Sequence, residues 1–153
     1  MKTLVIGAAI IDIIMKIKRL PKSGEDILCS ETVSAVGGCA YNVAGTLRGF
    51  GVDHDLFVPV GRGMYGDMIA GDLEKLGYRI LIREEESDNG YCLCLVEEDG
   101  ERTFITVKGA EGRFRPSWFE QLSQYDYDSI YVAGYQVCGT SGGVISDWMA
   151  GAK

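Results

Sequence analysis

The chain has a single histidine, His54, among its 153 residues, and no run of about 20 apolar residues. The missing apolar run excludes a membrane-spanning helix. Met1-Lys2-Thr3 passes into an apolar stretch too short for the hydrophobic region of a secretory signal. Basic residues are few as well: 15 Lys and Arg stand against 22 Asp and Glu, for a net charge of -7. No cationic cluster could neutralise phosphates, so nucleic acid, acidic partners and anionic membranes are excluded as ligands. The five cysteines (Cys29, Cys39, Cys92, Cys94 and Cys138) are odd in number and lack a framework spacing. A reducing, cytoplasmic compartment is the expectation. Cys92 and Cys94 share one face of a strand, but with His54 distant in sequence they read as packing, and no metal is expected. Neither an internal repeat nor a low-complexity tract occurs. Gly139-Thr140-Ser141-Gly142-Gly143 lacks the Lys-Ser/Thr of a phosphate loop and reads as a strand–helix turn, with Ser141 or a neighbouring residue capping the helix Val144–Met149.

What is present is a hydrophobic content of 46%, enough for one domain that buries roughly two-thirds of its unfolded surface. Apolar strands alternate with helical patterns, which predicts an α/β fold with a largely parallel sheet covered on both faces. Thr3–Ile6 is a continuous apolar run ending at Gly7, hence a buried parallel strand. Asp55–Val60 and Ser129–Ala133 are further strands, and 67–76 and 116–122 are helices. Tyr91–Val96 and Thr103–Val107 form a hairpin turning at Asp99-Gly100, and 25–36 is mostly extended. Tyr125, Tyr127 and Tyr131 lack interleaved basic residues and read as rim or core aromatics.

The centre of the chain is Val36-Gly37-Gly38-Cys39-Ala40-Tyr41-Asn42-Val43-Ala44-Gly45. Paired glycines permit positive φ and let a ligand approach the main chain. A helix read over 42–50, with Val43, Leu47 and Phe50 at helical spacing, would offer free N–H groups just behind them. Asn42 adds a donor and an acceptor. The set suits a small polyhydroxylated ligand, and it equally describes a plain glycine turn between strand and helix. Asp12 interrupts the apolar run Ala8–Ile14. A carboxylate there must be paired, ligand-bound or placed at a turn, because burial is otherwise costly. A second reading comes from Gly61-Arg62-Gly63-Met64-Tyr65-Gly66, a GxGxxG between strand and helix, followed by Glu84-Glu85-Glu86 where a ribose-binding acid would stand. That fingerprint normally follows the first strand, and here it follows a later one.

Gly37-Gly38-x-x-x-Asn42, preceded by Gly7-Ala8-Ala9-Ile10-Ile11-Asp12, resembles the amino-terminal half of ribokinase-like (PfkB) carbohydrate kinases. Pro21-x-x-Gly24-Glu25, Gly51-Val52, Val60-Gly61 to Gly66 and the hairpin Glu97–Thr103 follow in the family's order. The resemblance implies a Rossmann-like core with a small β-sheet lid built from about 14–36 and 88–109, within one ribokinase-like domain truncated over 1–153. It implies ATP-dependent phosphorylation of a sugar or nucleoside hydroxyl, with Asp12, Gly37, Gly38, Cys39 and Asn42 on the substrate. Gln136 joins them by its place at a strand end. ATP and Mg2+ would serve the complete enzyme and would not bind tightly to this chain. The family's Gly-Ala-Gly-Asp segment, which carries the anion hole and the catalytic base, is absent from the sequence. No catalytic residue is therefore expected in this chain, and the isolated chain should be inactive. Where the family has Gly-x-Asp-x-x-Gly, Gly63 replaces the Asp. Cys39 and Ile10 stand where ribokinases carry polar groups, which points to a different or less polar acceptor such as a nucleoside. A homodimer through the lid is the expected assembly. Two alternatives stand beside this reading: a dinucleotide-binding domain using 61–66, and a non-catalytic truncated dimerisation module.

Overall fold

A computed structural model describes residues 1–124 and 126–151, so Tyr125 lies outside the described residues. The central layer is a parallel three-stranded sheet in the order β4-β1-β9, formed by β4 (Asp53–Phe57), β1 (Lys2–Ile6) and β9 (Ser129–Val132). Leu4, Val5 and Ile6 of its middle strand are fully buried, which is why the run has no polar alternation. A short parallel pair, β5 (Pro59–Val60) and β6 (Ile82–Arg83), lies beyond it. Strand 55–60 of the sequence reading is thus two strands, interrupted at Val58.

The helix α1 (Cys39–Gly49) packs its fully buried Ala40 and Ala44 on this layer, and α2 (Met64–Lys75) packs Ile69 and Leu73. Small residues are needed at the α1 contact: a Cβ on Gly7, just past β1, would stand 2.7 Å from the Ala40 Cβ and 2.9 Å from the Ala133 Cβ. The helix starts at Cys39, three residues before the predicted start, and Phe50, expected on its apolar face, is 81% exposed. Phe57, Phe114, Phe119 and Trp148 form a second core on the other face, where α3 (Pro116–Phe119) and α5 (Gly142–Gly151) lie. Tyr127 hydrogen-bonds the Asp55 carboxylate at 2.8 Å, and Tyr131 is at the surface.

A separate four-stranded sheet has the order β3-β2-β7-β8, from β3 (Glu31–Gly37), β2 (Ile10–Lys16), β7 (Tyr91–Val96) and β8 (Arg102–Val107). β2 and β7 run parallel and the outer pairings are antiparallel. The hairpin turns at Gly100 with φ 89°, a left-handed conformation that glycine adopts without a Cβ penalty. Of the extended segment 25–36, only 31 onward is strand. Asp12 is the third residue of β2, inside the sheet rather than at the end of β1.

This sheet is tied to the core at its base. Glu111, 4% exposed, accepts hydrogen bonds from the N–H groups of Gly90 (2.8 Å) and Gly109 (2.9 Å), where the hairpin enters and leaves. Asn89, 3% exposed, accepts from the Gly61 N–H and donates to the carbonyls of Ala9 and Pro59. One buried amide therefore links the β1–β2 turn, β5 and the glycine loop.

Candidate functional site

A cavity of about 440 Å³ opens between the four-stranded sheet and the ends of the core strands. Register places its floor: Asp12 of β2 pairs with Cys92 of β7, which pairs with Thr106 of β8, so the three lie in one cross-strand row. Paired residues face the same side, and all three line the cavity. Asp12 makes no hydrogen bond or ion pair among the described residues, and burial raises its carboxyl pKa. Room for it comes from Gly37, whose Cβ would collide with the carboxylate. Gly37 does not itself line the cavity.

The opposite wall is the start of α1. Gly38 holds φ 101°, and a Cβ on it would come within 2.5 Å of the Ala8 carbonyl oxygen. Glycine has no side chain to cap the helix, so the N–H groups of the first turn are left uncapped, and the Asn42 N–H closes the first helical bond to the Gly38 carbonyl at 3.0 Å. Cys39 and Asn42 line the cavity from this turn. Gln136, in the short helix α4 (Gly134–Val137), lines it from the third side and is 8% exposed. Its Oε1 is buried and without a hydrogen-bond partner. An orphaned buried acceptor costs free energy unless a donor arrives.

Asp12, Gly38, Cys39, Asn42 and Gln136 therefore converge from three separate stretches of chain, and Gly37 seats one of them. Sequence reasoning missed Phe104, Lys108, Glu111 and Tyr135 on the same cavity. Phe104, Thr106 and Lys108 were legible in principle, since they alternate along one strand face. Ser141 does not cap its helix through its hydroxyl: the Oγ accepts from the Phe114 N–H and donates to the Gly112 carbonyl.

The glycine loop 61–66 is built differently from a dinucleotide site. Asp88 reaches the start of α2, its carboxylate accepting from the N–H groups of Tyr65 (3.1 Å) and Gly66 (2.6 Å). A pyrophosphate would need those donors and would meet a like charge. Glu84, the candidate ribose acid, is 4% exposed and pairs with Arg115 at 2.6 Å. Cys92 and Cys94 are both buried as free thiols, and no cluster of metal-ligating side chains occurs among the described residues. Thr140 and Ser141 direct their hydroxyls to the Gly112 carbonyl, so the loop 139–143 presents no phosphate cradle. Neither glycine loop among the described residues therefore offers a phosphate cradle. No helix among them is long and apolar enough to cross a membrane.

Fold and site together define an α/β protein with a ribokinase-like fold and a cleft between a parallel core and a four-stranded β-sheet. The chain belongs to the pfkB family of carbohydrate kinases, whose family model matches residues 1–148. It is 38% identical over 146 residues to YegV, an uncharacterized sugar kinase of Escherichia coli (strain K12), covering 95% of this chain and 46% of that protein. Ribokinase from Giardia lamblia superposes with a TM-score of 0.81 at 23% identity, over 97% of this chain and 47% of the other. The structure of Arabidopsis thaliana ribokinase complexed with ribose and ATP superposes with a TM-score of 0.62 at 28% identity, over 71% and 36%. The chain spans under half the length of the curated relatives it matches.

Proposed function

We propose that this chain supplies the acceptor-binding half of an ATP-dependent kinase for a sugar or nucleoside hydroxyl. The observation that carries the reading is the convergence of an unpaired carboxylate, open helix N–H groups, Asn42 and an orphaned buried amide oxygen on one cavity. Hydroxyl groups are the chemistry that satisfies all of them. A hydroxyl donates to Asp12 or to the Gln136 Oε1 and accepts from Asn42 or from the first turn of α1. Donation to ionised Asp12 is charge-assisted and strong.

In phosphoryl transfer most of the protein's work is positioning and electrostatic stabilisation. On this reading Asp12 and Asn42 orient the acceptor hydroxyl, and the four-stranded sheet is the lid that excludes water above it. The nucleotide site, anion hole and base come from outside these 153 residues. The chain binds acceptor and does not turn over alone.

Isothermal titration of the chain with sugars and nucleosides tests this. Binding to at least one is expected, weakened tenfold or more by Asp12→Ala and by Asn42→Ala. Unchanged affinity in both variants refutes the assignment, as does ATP-dependent phosphorylation by the chain alone.

A further inference from the structure

The cavity is lined by side chains that hydroxyl recognition does not use. Phe104, Thr106 and Lys108 stand at alternate positions along β8 and its exit, so they share the cavity-facing side of the strand. Phe104 is 60% exposed. Across from it, from α4, comes Tyr135, 80% exposed and one residue before Gln136. Neither ring stacks on another aromatic among the described residues. Two exposed, unstacked rings therefore line the same cavity as the unpaired polar groups.

We infer that the acceptor carries a planar heteroaromatic group beside its hydroxylated ring, as a nucleoside does, and that Phe104 and Tyr135 hold this planar part. The inference rests on the acceptor-site reading and narrows it to one substrate class. Charge argues the same way. One lysine, Lys108, faces two carboxylates, Asp12 and Glu111, around the cavity, so an anionic sugar such as an aldonic acid would meet net repulsion. Lys108 instead serves as a hydrogen-bond donor to a base carbonyl or ring nitrogen.

The test is titration calorimetry of the full chain with inosine, uridine, ribose and gluconate, on the wild type and on Phe104→Ala, Phe104→Tyr, Tyr135→Ala and Asp12→Ala. Both aromatic side chains are exposed, so their truncation leaves the fold intact. A nucleoside should bind at least tenfold more tightly than ribose, and Phe104→Ala or Tyr135→Ala should remove about tenfold of that advantage. Phe104→Tyr should retain it. Ribose affinity should not move in the aromatic variants. Ribose or gluconate binding as tightly as any nucleoside, with loss in Asp12→Ala, overturns the planar-group inference and leaves the acceptor site standing. Phe104→Ala that dissociates a dimer in sedimentation while nucleoside affinity is unchanged also overturns it, by assigning the ring to a subunit contact. No binding of any of the four compounds overturns both readings.

Discussion

Asp88 gives the sharpest stability test of the fold. Its carboxylate accepts from the N–H groups of Tyr65, Gly66 and Asn89, two of which open α2. Gly63, the residue before that helix, has no side chain to do this, so a residue distant in sequence takes over the capping role. Losing a cap costs about 1 kcal/mol, within a range of roughly 0.5–2. Losing a negative charge at a helix start costs about 0.3–1 kcal/mol more. Asp88→Ala should therefore destabilise by about 2 kcal/mol. In a chain of 153 residues, this lowers the thermal midpoint by about 4–8 °C. Asp88→Asn keeps an acceptor without the charge and should lose about half as much. Differential scanning calorimetry of the three proteins at pH 7, together with urea midpoints, measures both steps. An Asp88→Ala variant within about 0.5 kcal/mol of wild type would refute the capping role. The same site decides the dinucleotide question, because wild type should show no NAD or NADP binding, and measurable binding would mean that the helix start is not occupied as described.

Glu111→Ala should cost about 3 kcal/mol in urea denaturation, since the N–H groups of Gly90 and Gly109 lose their acceptors at roughly 1–3 kcal/mol each. A loss below about 1 kcal/mol would show that this carboxylate does not hold the base of the sheet. Asp55 provides a pH signature. Burial pushes its carboxyl pKa up, but hydrogen bonds from Lys2 and Tyr127 and the charges of Lys2 and Arg79 outweigh this and leave it lowered. A lowered folded-state pKa contributes stability above the unfolded value of 3.8 and loses it as pH falls through the folded value. Wild type should accordingly exceed Asp55→Asn in stability at pH 7, and the gap should close in acid. A gap that stays constant from pH 7 down to pH 2 would contradict the pairing.

The parallel core was legible because Thr3–Ile6 is a continuous run ending at Gly7 whose burial on both faces leaves no polar alternation. Ser129–Val132, in contrast, alternates exposed and half-buried residues and was legible by its β-branched and aromatic content. The cleft residues Asp12, Gly38 and Asn42 were legible because a carboxylate in an apolar run and a glycine pair before a helix are local departures from packing rules. The start of α1 was misjudged, since Cys39-Ala40-Tyr41 carries no capping side chain to mark it. Phe50 misled because helical spacing cannot tell a packed end from an exposed one. Glu111, Asn89 and Asp88 went unseen for a different reason. Each satisfies backbone donors or acceptors that are far away in sequence, and such long-range polar pairing leaves no local periodicity. The dinucleotide fingerprint matched in spacing and failed in context, because spacing does not reveal which group fills a helix start.

Asp12 belongs to the four-stranded sheet, whereas Asn42 and Gln136 belong to the core. On the proposed function, recognition is divided between two bodies, and an acceptor that satisfies both acts as a rivet between them. Affinity then measures the grip of flap on core as much as the fit of the ligand. A compound presenting too few hydroxyls to span the gap would occupy the cavity and leave the two bodies joined only at the base of the sheet. Such a compound would engage one body only, and comparison with a spanning compound would separate occupancy from bridging in a single experiment.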